Sequence, residues 1–102
     1  MSAGLRAETT HIDVDAIVVC VPTKKHFEVA KAALEGGKHV LCEKPLTMRA
    51  DEARELARIA TAGGVFLMEA MWMKFSPAMQ RAAEIIAAGT IGEPRYVQAG
   101  LG

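Results

Sequence analysis

The sequence of 102 residues lacks the features that mark secreted, membrane or nucleic-acid-binding proteins. Twelve lysines and arginines balance twelve aspartates and glutamates, so no excess of positive charge is available to neutralise phosphates. No apolar run approaches the roughly 20 residues that span a bilayer. Residues 1–10 contain no apolar h-region of a secretory signal. The composition therefore argues against nucleic-acid and membrane partners.

Cysteine and histidine are also scarce, and neither is clustered. Cys20 and Cys42 lie inside separate apolar runs and form no C-x-x-C motif. We therefore expect two reduced, buried cysteines of a cytoplasmic protein and no disulfide. The three histidines are scattered, and no set of histidine, cysteine, aspartate and glutamate has the spacing of a metal site. The sequence predicts no bound metal.

Apolar residues make up 51% of the sequence, which is enough to build a core in a chain the size of one small domain. The β-branched run Ala16–Val21 does not alternate with polar residues, as is typical of a strand buried on both faces of a parallel sheet. Strand-like runs alternate with segments of helical periodicity, and this order predicts an α/β fold with a parallel sheet. The predicted strands are 16–21, 39–42, 65–68 and 93–99, and the predicted helices are 25–34, 47–61 and 77–88.

Polar or charged side chains follow each of the first three predicted strands. The segments concerned are residues 21–26, 42–45 and 68–75. In an open parallel sheet, ligands bind beyond the carboxyl ends of the strands, which meet at one edge. The sequence therefore predicts that the three segments converge on one rim of the sheet and that a ligand site lies there.

The same segments resemble the Gfo/Idh/MocA oxidoreductase family. Residues 15–23, followed by His26, resemble the family's fourth strand and its loop. Residues 37–46 are similar to the family segment that contains a Glu-Lys-Pro motif. Residues 68–77 resemble a branch that includes dihydrodiol dehydrogenase and NADP-dependent xylose dehydrogenase, and residues 89–94 resemble the passage into the C-terminal domain.

The resemblance implies the second half of a Rossmann-like dinucleotide-binding fold over residues 1–89. Residues 90–102 would begin a C-terminal substrate and oligomerisation domain, with 93–99 as the first strand of its sheet. The family's activity would be the oxidation of a hydroxyl of a sugar, polyol or dihydrodiol by NADP or NAD. In such a reaction the cofactor takes a hydride, and a side chain accepts or orients the hydroxyl proton.

The resemblance also implies roles for residues at the strand ends. Thr23 and His26, close to Pro22, would lie beside the ribose and pyrophosphate of the dinucleotide. Glu43 and Lys44 would lie beside the nicotinamide ribose. Lys44 would also be the catalytic residue that takes part in proton transfer, and the proline bond that follows it is often cis in the family.

Trp72 and Lys74 would close the cofactor pocket near the nicotinamide. The sequence departs from the family at two of these positions. Lys24 stands where asparagine is common, and Lys74 stands where the branch commonly has arginine. A lysine does not reproduce the planar fork of an arginine, so the contact predicted for position 74 is altered here.

Simpler interpretations stay open for four of these residues. His26, in the first turn of a helix, could form only local hydrogen bonds. Glu43 could pair with a nearby lysine, and Lys44 could be a solvated lysine before a turn proline. Trp72, among several methionines, could simply pack in a core.

Parts that the family needs are not found in the sequence. It contains no G-x-G-x-x-G phosphate-binding motif and no acidic residue in the place that would hold the adenosine ribose. We therefore expect an incomplete chain, without the N-terminal unit and most of the C-terminal domain. Two alternatives to an active enzyme follow: a nucleotide-binding remnant, or an interaction fragment that self-associates through an open sheet edge.

Overall fold

Three parallel strands form a sheet in the first part of the chain, and their order in the sheet is their order in the sequence. The computed structural model describes His11 and residues 13–102. The strands are β1 (Ala16–Val19), β2 (His39–Glu43) and β3 (Leu67–Ala70). In the register of the sheet, Val19 lies opposite Cys42, and Cys42 lies opposite Glu69. The three strands therefore end at nearly the same level.

Helices connect the strands and follow the last one. A short 3-10 helix at Thr23–Lys25 leads into α1 (His26–Glu35), which connects β1 to β2, and α2 (Ala50–Gly63) connects β2 to β3. Acidic residues in the first turn of α2 suit the positive end of the helix dipole. Gly64 ends α2 with a left-handed backbone at φ 64°, which glycine adopts without a Cβ penalty.

The hydrophobic core lies on one face of the sheet. There β1 and β2 pack against the inner sides of α1 and α2. Three of the helix residues are alanines, whose small side chains let the helices approach the sheet closely. The buried residues of this core are Val19, Ala30, Ala33, Leu34, Val40, Cys42, Leu56 and Ala60.

The opposite face of the sheet is open. Val18 is 62% exposed and Leu41 is 38% exposed, and the Cys20 thiol is also exposed. The predictions that the first strand is buried on both faces and that Cys20 is buried are therefore wrong. The reason is that α1 and α2 both contribute to the core on the same side, so side chains on alternate positions point away from it.

The helices and the first two strands occur close to where the sequence predicts them, although the first strand ends at Val19 and not at residue 21 and α2 begins at Ala50 and not at residue 47. Two further strand predictions need correction. The third strand is Leu67–Ala70 and not 65–68, because Val65 still donates its N–H to Ala60 O at the end of α2. The predicted strand 93–99 is wrong for the described chain, in which no strand is present there. Its Tyr96 and Val97 side chains are about 80% exposed, and a strand forms only when its backbone pairs with another.

The described chain divides into two compact units, and the second begins at Met71. Within it, a 3-10 helix at Trp72–Phe75 precedes α3 (Pro77–Ala87), whose proline occupies the first turn. This division follows compactness alone, so the assignment of 1–89 and 90–102 to two functional domains stays a prediction. None of the helices described is long and apolar enough to cross a membrane.

Candidate functional site

The carboxyl ends of the three strands bring polar segments to one rim of the sheet. The parallel register places the end of β1 beside Cys42, and the end of β2 beside Glu69 and Ala70. The prediction that the strand ends converge is confirmed for the segments after β1 and β2 and for Glu69 at the end of β3. The centre of this rim is the turn of residues 43–46, which we call the lysine turn because it contains Lys44.

His26 connects the segment after β1 to the lysine turn. The side chain is 1% exposed. Its Nδ1 lies 2.8 Å from Pro45 O, and its Nε2 lies 2.9 Å from Val21 O. A neutral imidazole has one N–H and so donates to one of these two carbonyls at a time, whereas an imidazolium donates to both. Both ring nitrogens thus face backbone carbonyls, and because Pro45 belongs to a separate segment, His26 does more than form local hydrogen bonds. Its predicted contact with a cofactor stays a prediction.

Glu69 connects the end of β3 to the same turn. Its Oε2 accepts a hydrogen bond of 2.6 Å from the backbone N–H of Leu46. A hydrogen bond to a carboxylate is shorter and stronger than one between neutral groups. Glu69 lies in the polar segment 68–75 but is not among the predicted site residues. One feature of the sequence could have indicated its role. Glu69 is an acidic residue immediately after the apolar run 65–68, just as the Glu-Lys-Pro segment follows the apolar run of the preceding strand.

The lysine turn itself exposes Glu43 and Lys44, the two side chains predicted to lie beside the nicotinamide ribose. The Lys44–Pro45 peptide bond is cis, as the resemblance implies. Glu43 and Lys44 are both exposed. Among the described residues neither side chain forms a hydrogen bond or an ion pair, so the suggestion that Glu43 simply pairs with a nearby lysine finds no support there. Both side chains are available to a ligand.

Cys42, directly before the turn, is not a reactive group. The side chain is fully buried, and its Sγ lies 3.8 Å from Leu46 O. Burial, with a smaller contribution from the Glu69 carboxylate, raises the pKa of the Cys42 thiol to about 11. A thiol of this kind stays protonated at neutral pH and is a poor nucleophile. Cys42 therefore acts as a packing residue under the turn.

A pocket of about 320 Å³ opens beside the turn. It is lined by residues 45–50, Ala53 and Glu69. Glu43 and Lys44 do not belong to this lining, so the exposed pair and the pocket are different features of the rim. Glu69 thus borders the pocket as well as the turn.

The remaining predicted residues fall into two groups. Pro22 is exposed and Thr23 is half-buried, and both lie where the chain turns from β1 into the first 3-10 helix. Trp72 and Lys74 are exposed residues of the 3-10 helix in the second compact unit. Their predicted role beside a cofactor stays a prediction.

The exposed groups of the rim fit one end of a nicotinamide dinucleotide. A carboxylate such as Glu43 accepts hydrogen bonds from ribose hydroxyls, and an ammonium such as Lys44 donates to hydroxyl or amide oxygens. Thr23 offers a hydroxyl that both donates and accepts. These donors and acceptors suit the ribose and nicotinamide. The glycine-rich loop that would bind the pyrophosphate is not found in the sequence.

Known proteins share both the sequence and the structure of this chain. The sequence model of an oxidoreductase family with an NAD-binding Rossmann fold, that of the Gfo/Idh/MocA proteins, matches residues 4–71. The chain is 46% identical over 80 residues to D-xylose 1-dehydrogenase (NADP(+)) of Hypocrea jecorina, covering 78% of this chain and 20% of that protein. It is 40% identical over 90 residues to trans-1,2-dihydrobenzene-1,2-diol dehydrogenase of Mus musculus, covering 88% of this chain and 27% of that protein.

A solved structure of an NAD binding oxidoreductase from Klebsiella pneumoniae superimposes with a TM-score of 0.83 at 39% identity. The superposition covers 91% of this chain and 25% of that one. The chain thus spans about a quarter of the length of the relatives it matches. The likeness confirms an α/β fold with a partial Rossmann-like parallel sheet.

Proposed function

The chain belongs to the Gfo/Idh/MocA oxidoreductase family, and we propose that its lysine turn forms the nicotinamide-ribose side of an NAD(P) site. The observation that carries this proposal is the exposed Lys44 on a turn that is hydrogen-bonded to both neighbouring strand-end segments. Ligands of α/β folds bind at such strand ends. The contacts from His26 and Glu69 hold the backbone, while the two exposed side chains stay free to contact a ligand.

The reaction that suits this site is the oxidation of a secondary hydroxyl to a carbonyl. A bound nicotinamide dinucleotide supplies the hydride acceptor. The hydroxyl proton must leave at the same time, and the Lys44 amine is the group that holds or accepts it. Glu43 binds the ribose hydroxyls, while Pro22 and Thr23 border the adjoining part of the dinucleotide.

We propose a substrate with the hydroxyl of a sugar, polyol or dihydrodiol. The support is the printed activity of two relatives, one a D-xylose dehydrogenase and the other a dihydrobenzenediol dehydrogenase. Both names describe molecules with neighbouring hydroxyl groups. The cofactor is NADP or NAD. A cytoplasmic location agrees with the two free cysteines.

A second candidate function is that of a non-catalytic module that binds nucleotide or another copy of the chain. Two observations favour it. The sequence has no phosphate-binding glycine motif, and one face of the sheet exposes Val18 and Leu41. Self-association through β1, an edge strand among the described strands, would pair its free backbone groups, and packing of two such faces against each other would cover the apolar surface.

Calorimetric titration of the 102-residue chain with NADPH and with NADH tests the first proposal. Lys44→Ala should weaken binding by about tenfold, since the ammonium–oxygen hydrogen bond it removes contributes about 1.4 kcal/mol. Lys31→Ala is the matched control, because Lys31 lies on α1 and pairs with Glu55. Equal affinity of both variants, or no heat of binding to the folded wild-type chain, would refute the proposed site. If the chain binds the cofactor, turnover with a sugar or diol shows that it is an enzyme, and binding without turnover shows that it is a non-catalytic module.

A further inference from the structure

We infer that Glu69 is a positioning residue for Lys44, acting through the backbone of the lysine turn. The inference rests on the proposed function of Lys44 and adds a residue to it. Glu69 does not contact Lys44. It holds the peptide group that follows Pro45, one residue beyond the lysine–proline bond.

Glu69 and His26 bind opposite sides of a single peptide group. Pro45 O, which faces His26 Nδ1 at 2.8 Å, and Leu46 N, which donates to Glu69 Oε2 at 2.6 Å, belong to the same Pro45–Leu46 peptide. A peptide group is planar, so contacts at its oxygen and its nitrogen together fix the orientation of the plane. When His26 Nδ1 carries a proton and donates to Pro45 O, the peptide is bonded on both sides and polarised, which strengthens each hydrogen bond.

The two contacts come from rigid and separate parts of the fold. Glu69 lies on β3, directly opposite Cys42 of β2 in the register of the sheet. His26 begins α1 and is almost completely buried. The turn is thereby tied to a strand on one side and to a helix on the other. Because Lys44 is exposed and has no side-chain partner among the described residues, its place on the rim depends on this backbone anchorage.

The contact also determines which chemistry Glu69 can perform. One of its carboxylate oxygens is engaged by the Leu46 N–H, and the residue lines the pocket beside the turn. Glu69 therefore acts as a fixed acceptor for the turn.

The test compares Glu69→Ala, which removes the acceptor, with Glu69→Gln, which keeps an acceptor oxygen without the charge. Glu35→Ala, an exposed carboxylate at the end of α1, is the control. The first measurement is amide hydrogen exchange at Leu46 by NMR. We expect exchange to rise at least about tenfold in Glu69→Ala, about threefold in Glu69→Gln and not at all in the control.

The second measurement is the affinity of the same variants for NADPH. If the lysine turn adopts its ligand-binding conformation one tenth as often, the chain binds NADPH about tenfold more weakly. We expect that loss in Glu69→Ala and recovery of most of it in Glu69→Gln, a rescue that general unfolding would not produce. Should Glu69→Ala not fold, Glu69→Gln alone carries the test through its smaller effects on exchange and affinity.

The outcomes separate this inference from the proposed function. Unchanged Leu46 exchange in a folded Glu69→Ala variant overturns the inference, whatever the ligand does. Faster exchange with unchanged NADPH affinity, while Lys44→Ala still weakens binding, also overturns it and leaves the proposed site intact. No NADPH binding to the folded wild-type chain refutes the proposed site, and the positioning of Lys44 for a ligand fails with it.

Discussion

The backbone N–H of Leu46 donates a 2.6 Å hydrogen bond to the Glu69 carboxylate and so joins the end of the third strand to the turn after the second. The carbonyl of the same peptide faces His26, which lies near the end of the first strand. Three segments far apart in the sequence thus meet on one peptide group. The exposed Lys44 is carried by this anchored turn, which is why the rim is a credible ligand site.

Removal of the His26 side chain should destabilise the fold strongly. His26→Ala loses contacts to two backbone carbonyls and leaves a cavity in a buried region. We expect a loss of about 2–4 kcal/mol in the free energy of unfolding, measured by urea denaturation. His39→Ala is the control, because His39 is exposed and accepts one hydrogen bond from Phe66 N. Equal losses in the two variants would contradict the anchoring role of His26.

The anchoring of the turn could be predicted from the sequence only in part. The order of strands and helices follows from apolar runs and helical periodicity, and the polar strand ends indicate the rim. The bond between Glu69 and Leu46 depends on the register that places Glu69 opposite Cys42. The polar segment 68–75 places Glu69 on the rim, but the predicted strand 65–68 ends before Glu69 and so gives it no register partner. The one-sided burial of β1 also could not be predicted, because its sequence does not alternate.

The two cysteines should differ sharply in reactivity. Cys20 is exposed, whereas Cys42 is buried and its thiol has a pKa of about 11. Iodoacetamide at pH 7.5 should therefore label one cysteine of the native chain, identified as Cys20 by peptide mass mapping. Denatured protein should be labelled at both. Comparable labelling of Cys42 in the native chain would show that the region under the lysine turn opens freely.

Stability should decline at alkaline pH through Cys42. Folding raises the pKa of the Cys42 thiol from 9.0 to about 11, so the folded state favours the protonated form. This contribution is fully present below pH 9 and is lost as the pH rises from about 9 to 11, by an amount on the order of 2 kcal/mol. Urea denaturation of wild type and Cys42→Ala across this range isolates the effect. Parallel pH dependence of the two proteins would contradict it.

The open face of the sheet predicts self-association. Val18 and Leu41 expose apolar surface on β1 and β2, and β1 is an edge strand among those described. Light scattering after size exclusion should give a mass above the 10.9 kDa monomer, and Val18→Lys should shift it toward the monomer. Thr61→Lys, on the exposed side of α2, is the control. A monodisperse wild-type monomer with cooperative unfolding would refute this prediction.

The location of dinucleotide binding is the most direct test of the proposed site. Amide NMR spectra of the uniformly labelled chain, recorded during titration with NADP⁺, report which residues sense the ligand. We predict that the shifts are concentrated in residues 22–26 and 43–46, while the amides of the exposed side of α2 over 54–62 stay unchanged. Shifts elsewhere, or none at ligand concentrations that saturate a millimolar site, would contradict the claim that the lysine turn forms part of an NAD(P) site.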